Sequence, residues 1–118
     1  FLSSPLMSVV MRDTARIGMI AVGIVLVMIT AEIDLSVGAT FALAPYLMIR
    51  MATDWDLSLW ITAPIAILIG VGVGFANGLI TVKLGIPSLI TTLGTFFLIT
   101  GFTVSYANSQ PIRMPVEQ

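Results

Sequence analysis

The segment Ile33-Asp34-Leu35-Ser36-Val37-Gly38 places a carboxylate, a hydroxyl and a glycine between two uncharged apolar stretches, 17–31 and 37–49, with Glu32 just before it. An acid at a bilayer centre costs about 2.5–3.5 kcal/mol on insertion scales, so acids at that depth face protein or water and mark a function. Asp34 or Ser36 can cap a helix that follows. Glu32 has no obvious capping role; it could pair with a base, or bind a proton or cation as in a coupled transporter. Farther along, Asn77 stands near the end of an apolar run, and Ser88, Thr91, Thr92 and Thr95 open the next. Ser88, Thr92 and Thr95 follow helical spacing. A lipid-buried amide seeks a partner on another helix, a bond worth roughly 0.6–2 kcal/mol. A hydroxyl can instead bond back to its own helix. Sugars want hydroxyl and amide partners rather than charges, so the same stripe suits one. The candidates for a translocation path or gate are therefore Glu32, Asp34, Ser36, Gly38, Asn77, Thr92 and Thr95. Interhelical glue is the competing role for Asn77, and bonding within the helix for the hydroxyls.

Most other chemistry is excluded by what the 118 residues lack. There is no cysteine and no histidine. A disulfide framework, a thiolate nucleophile, a Cys-based metal site and the commonest general base all go with them. No catalytic set, metal site or cofactor is expected. No G-x-x-x-x-G-K-[ST] loop occurs, so the chain does not itself hydrolyse ATP. An intramembrane aspartyl protease needs aspartates on separate facing helices, whereas these acids are neighbours. A net charge of −1 leaves no footprint for nucleic acid. The chain is 58% hydrophobic and 9% charged, far from the roughly 25% charged of soluble domains, and its mean hydropathy is +1.08.

The elements that must position these residues are apolar helices, an all-α transmembrane bundle. Residues 5–16 read as an interfacial lead-in, with Ser4 as cap, Pro5 at the first position, and Arg12, Asp13 and Arg16 clustered at its far end. Four apolar helices follow at 17–31, 37–52, 59–82 and 88–106. A span needs about 20 apolar residues. The last two qualify; the first two are short. We expect those two to form a helical hairpin broken at residues 32–36, beneath the headgroups, where irregular backbone survives only in protein or beside a cavity. Trp55 and Trp60 suit an aromatic belt. Gly85 suits a helix C-terminus and Pro87 a first turn. Gly70, Gly74 and Gly78, spaced by four, form a small-residue face that lets a second helix approach closely. Alternating spans put Arg12, Arg16, Arg50 and Arg113 on one side and Lys83 on the other, which makes the arginine side cytoplasmic by the positive-inside rule.

Ile33-Asp34-Leu35-Ser36-Val37-Gly38, Ala76-Asn77-Gly78-Leu79-Ile80, Lys83-Leu84-Gly85-Ile86-Pro87 and Thr92-Leu93-Gly94-Thr95 resemble, in order and spacing, the membrane permeases of ribose-type sugar ABC importers. Gln110-Pro111-Ile112 matches as well. The resemblance covers nearly the whole chain and does not select a substrate. It implies the N-terminal part of a longer permease, lacking its first span, in a bacterial inner membrane. It further implies a second permease subunit, cytoplasmic ATPase subunits and an extracytoplasmic sugar-binding protein as partners, besides membrane lipid. It places the Lys83 link inside, opposite to the arginine count. One departure stands out: the family commonly has two glycines where this chain has Ala31 and Glu32.

The functional expectation is gated passage of a monosaccharide, with ATP work done by partners. The rivals are an ion- or proton-coupled secondary transporter using Glu32, and a non-transporting membrane scaffold built on the glycine face.

Overall fold

The computed structural model describes residues 3–107; the Gln110-Pro111-Ile112 motif and Arg113 lie outside them. Four helices follow one another: α1 (Ser4–Ile29), α2 (Ser36–Asp54), α3 (Leu59–Leu84) and α4 (Ser88–Ala107). No strand occurs among the described residues. The sequence ranges 37–52, 59–82 and 88–106 differ from α2, α3 and α4 by no more than two residues at any end. The chain divides into two compact units, Phe1–Asp34 and Leu35–Gln118.

The first unit holds α1 and the non-helical stretch after it. Here the structure differs from the two pieces expected, a lead-in at 5–16 and a span at 17–31, because α1 is one continuous helix of 26 residues, about 39 Å long. The physical reason is plain. Pro5 lies at the helix start, where its missing N–H costs nothing, and no later proline interrupts the run. The change from charged to apolar at Arg16–Ile17 alters the solvent the helix prefers, not the backbone. Arg16 and Asp13, 3.2 Å apart, sit one turn from each other on the exposed surface. The helix ends at Thr30, whose hydroxyl donates to the Val27 carbonyl at 2.6 Å. Ala31 then takes a left-handed φ of 59°. That conformation favours glycine, since a Cβ there crowds the carbonyl that follows.

The second unit packs α2 against both α3 and α4, with a lesser contact between α3 and α4. Its apolar centre is Ala39, Leu43 and Ile99, flanked by Leu47, Ile69, Val73 and Phe96. The turn between α2 and α3 brings Asp56 to φ 52°, a region that aspartate tolerates better than most residues. The Ser58 hydroxyl accepts from the Trp60 backbone N–H and caps α3. Gly85 ends α3 at φ 68°, the left-handed C-terminal position that the sequence suggests. The Pro87 carbonyl accepts from the Ile90 and Thr91 N–H groups and starts α4. By length and composition, α3 and α4 can each cross a membrane. Pro45 and Pro64 lie inside α2 and α3.

Register follows from the α2–α3 turn. Ser36 lies 18 positions before Asp54, and Asn77 lies 18 positions after Leu59 (36 to 54, 59 to 77). The two arms therefore reach the same level, and α3 continues past it by about 10 Å before Gly85. Once α3 is set across a membrane, α2 begins inside it.

Candidate functional site

At the level where α2 begins, three helices meet in a neutral polar cluster. Ser36, Asn77 and Thr92 are each at least 95% buried. The Asn77 amide Nδ2 donates to Ser36 Oγ at 2.9 Å, joining α3 to α2. The Thr95 hydroxyl donates to Asn77 Oδ1 at 2.6 Å, joining α4 to α3. The Leu35 backbone N–H donates to Thr92 Oγ1 at 3.1 Å, joining the start of α2 to α4. The polar groups thus close a ring of contacts around the place where the α2 backbone would otherwise present bare N–H groups to an apolar medium.

The local sequence builds this ring. Leu35 stands at the α2 N-cap with an αR backbone and gives no side-chain cap bond, so its own N–H is satisfied from α4 instead. Ser36, which the sequence offers as a cap, uses its oxygen to hold Asn77. Thr92 and Thr95 lie one turn apart on α4, so one receives the α2 backbone and the other the α3 amide. Thr95 has a second acceptor in reach, the Thr91 carbonyl at 3.1 Å. With one proton, its hydroxyl serves Asn77 or its own helix, but not both fully.

Of the sequence candidates, the structure brings Ser36, Asn77, Thr92 and Thr95 together. Gly38 lies in the first turn of α2, exposed, with open space where a Cβ would go. Glu32 and Asp34 are half-buried in the stretch that ends the first unit. On the glycine face, a Cβ at Gly70 would meet Thr40 Cγ2 at 3.6 Å, an ordinary van der Waals contact; at Gly74 and Gly78 nothing lies within 4 Å. The small-residue face is thus engaged by α2 at one end only. The hydroxyls of Thr40, Thr62 and Thr91 are buried without a partner.

Sequence reasoning missed a second cluster, at the other end of α2. Arg50 pairs with Asp54 at 2.7 Å, and its guanidinium lies 5.9 Å from the centre of the Tyr106 ring. Tyr106 also stacks on Phe102 at 5.6 Å and meets Tyr46 edge-on at 6.2 Å. The signal was present: Tyr46, Arg50 and Asp54 recur every four residues, which puts them on one face of α2. Their partner on α4 could not be read from that spacing.

The first cluster is built of neutral groups, hydroxyls, an amide and a backbone N–H. Among the described residues, no three His, Cys, Asp or Glu side chains are placed to hold a metal ion. What the first cluster can do is hold apolar helices in a set register through bonds between uncharged groups. A helical bundle in which two helices are long and apolar enough to cross a membrane, pinned internally by an amide and hydroxyls, has the make-up of an all-α membrane protein.

Comparison with known proteins is more particular. The family model described as branched-chain amino acid transport system, permease component, matches residues 6–113, and the chain belongs to that family. It is 34% identical over 119 residues to an inner membrane ABC transporter permease of Escherichia coli K12, covering 98% of this chain and 35% of that protein. It is 35% identical over 103 residues to a ribose import permease of Haemophilus influenzae, covering 87% of this chain and 32% of the relative. It is 34% identical over 121 residues to a xylose/arabinose import permease of Sulfolobus acidocaldarius, covering 98% and 34%. The chain spans about a third of the length of these curated relatives. They are transport components rather than enzymes. No solved structure matches the chain.

Proposed function

We propose that this chain is part of the permease subunit of an ATP-driven ABC importer, and that it helps form the path of a monosaccharide such as ribose or a related sugar. The observation that carries the reading is the alignment of nearly the whole chain with permeases named for ribose and for xylose/arabinose import. A fructose import permease of Bifidobacterium longum adds to it, at 37% identity over 92 residues. A second substrate also has support, because an autoinducer 2 import permease of Yersinia enterocolitica is 37% identical over 83 residues.

In this reading the subunit is a multi-pass protein of a bacterial inner membrane. A second permease subunit completes the path, cytoplasmic ATPase subunits supply the work, and an extracytoplasmic protein delivers the sugar. The Ser36–Asn77–Thr95 ring fixes where α2 starts within the membrane and so sets the wall against which the path opens. Glu32, Asp34 and Gly38 are candidates for the path itself, with Thr92.

The test is a gentle detergent pull-down of the full-length tagged protein from its native membrane, with partners identified by mass spectrometry, followed by uptake of labelled ribose, xylose and fructose. Co-purification of an ATPase carrying a phosphate loop, together with ATP-dependent uptake of one sugar, is the expected result. An intact preparation without an ATPase would overturn the reading. Uptake that needs no ATPase and is lost in Glu32→Gln would favour the coupled transporter instead.

A further inference from the structure

The cluster at the Asp54 end of α2 adjoins a cavity of about 130 Å³. Arg50, Asp54, Trp55 and Tyr106 line it, over apolar side chains that include Leu47 and Ile69. We propose that this cavity is a binding site for one monosaccharide, distinct from the Ser36–Asn77–Thr95 ring and at the opposite end of α2; the inference rests on the sugar-import reading given above.

The chemistry of the lining is that of polyol recognition. A sugar presents hydroxyls around its rim and C–H groups on its faces. Rim hydroxyls are held best by planar charged groups, which make shorter and stronger hydrogen bonds than neutral ones. Here a carboxylate that accepts and a guanidinium that donates stand side by side, Arg50 to Asp54 at 2.7 Å. Sugar faces pack on aromatic rings, and two aromatic side chains, Trp55 and Tyr106, line the same space. The Arg50 Nε is closed off from solvent, but the side chain as a whole stays partly exposed beside Asp54, so a sugar hydroxyl would meet the outer nitrogens of the guanidinium. The lining, mostly apolar with a few placed polar groups, is that of a small-molecule site, although at about 130 Å³ the cavity is smaller than the roughly 300–1,000 Å³ of most and suits no ligand larger than a single sugar ring.

The site is also held ready. Tyr106 is fixed by its stack on Phe102 and its edge contact with Tyr46. Arg50 is fixed between Asp54 and the Tyr106 ring. Ordering these side chains on binding therefore costs little, which favours affinity. The pairing of charges within the site suits a neutral ligand: an anion or cation would have to compete with the partner already present.

The experiment uses the full-length permease in lipid nanodiscs and saturation-transfer NMR with D-ribose, D-xylose and D-fructose as probes. At least one sugar should receive saturation at its ring protons. In Trp55→Ala and Asp54→Asn that signal should fall at least threefold, and in Leu98→Ala, an exposed position away from the cavity, it should not change. Size-exclusion profiles like that of the parent protein establish that the variants are folded. A signal equal in the parent and both variants, or no signal from any of the three sugars, overturns the site. Uptake separates this from the wider reading: normal sugar import in Trp55→Ala with unchanged NMR removes the cavity site alone, whereas loss of any ATPase partner removes the importer.

Discussion

Replacing Asn77 by alanine should loosen the bundle by an amount that its two bonds set. The side chain is 5% exposed. It donates to Ser36 Oγ at 2.9 Å and accepts from Thr95 at 2.6 Å. Interhelical hydrogen bonds in membrane proteins average about 0.6 kcal/mol, with the strongest near 1.7. Two such bonds give a loss of about 1–3 kcal/mol. The cost is not the same from the other side. In Asn77→Ala the Thr95 hydroxyl turns to the Thr91 carbonyl, 3.1 Å away, and no donor is stranded. In Thr95→Val the Asn77 oxygen loses its α4 donor in a buried place, so the single change should cost about 1–2 kcal/mol. The pair should therefore be non-additive, with a coupling of about 1 kcal/mol in a double-mutant cycle. Reversible unfolding of the full-length permease in bicelles reads all four corners of the cycle. Strict additivity of Asn77→Ala and Thr95→Val, or an Asn77→Ala variant as stable as the parent, would refute the account of the cluster as a pin.

Four further changes test separate parts of the structure by thermal unfolding of the full-length protein. Ala31→Gly removes a Cβ from a left-handed position, φ 59°, and should raise stability by about 1 kcal/mol. Gly85→Ala does the reverse at φ 68° and should lower it by about 1 kcal/mol. Gly70→Leu drives a branched side chain toward Thr40 Cγ2, which an added Cβ already meets at 3.6 Å, and should cost roughly 1–3 kcal/mol by overpacking. Gly74→Leu adds bulk to open space and should leave the packing of α2, α3 and α4 unchanged.

Much of the fold was legible because apolar run length and breakers carry it. The Gly85 end of α3 was visible as punctuation, and the structure confirms it as a left-handed turn. No boundary falls between Arg16 and Ile17, because a change of polarity there leaves the backbone hydrogen bonds of α1 intact. The cluster was legible by residue type alone. Ser36, Asn77, Thr92 and Thr95 stood out as polar groups in apolar surroundings, but their meeting depends on contacts across 41 and 18 positions of chain (36 to 77, 77 to 95). The departure at Ala31 was visible as an alanine in a glycine's place, and its cost needed the backbone angle. The Arg50–Tyr106 contact could not be read, since it joins residues that share no helix.

The equal arms of the α2–α3 pair limit how this sequence can change in length. One residue inserted between Ser36 and Asp54 would turn the start of α2 by about 100° and carry it 1.5 Å along its axis. Ser36 would then leave Asn77, and the Leu35 N–H would leave Thr92. A deletion in α3 before Asn77 would do the same from the other side. The short turn at 55–58 carries no such count, because adding to it leaves both arms as they were. Homologues of this segment should therefore gain and lose residues in that turn and keep both arms at fixed length, an outcome that an alignment of related permeases can score directly.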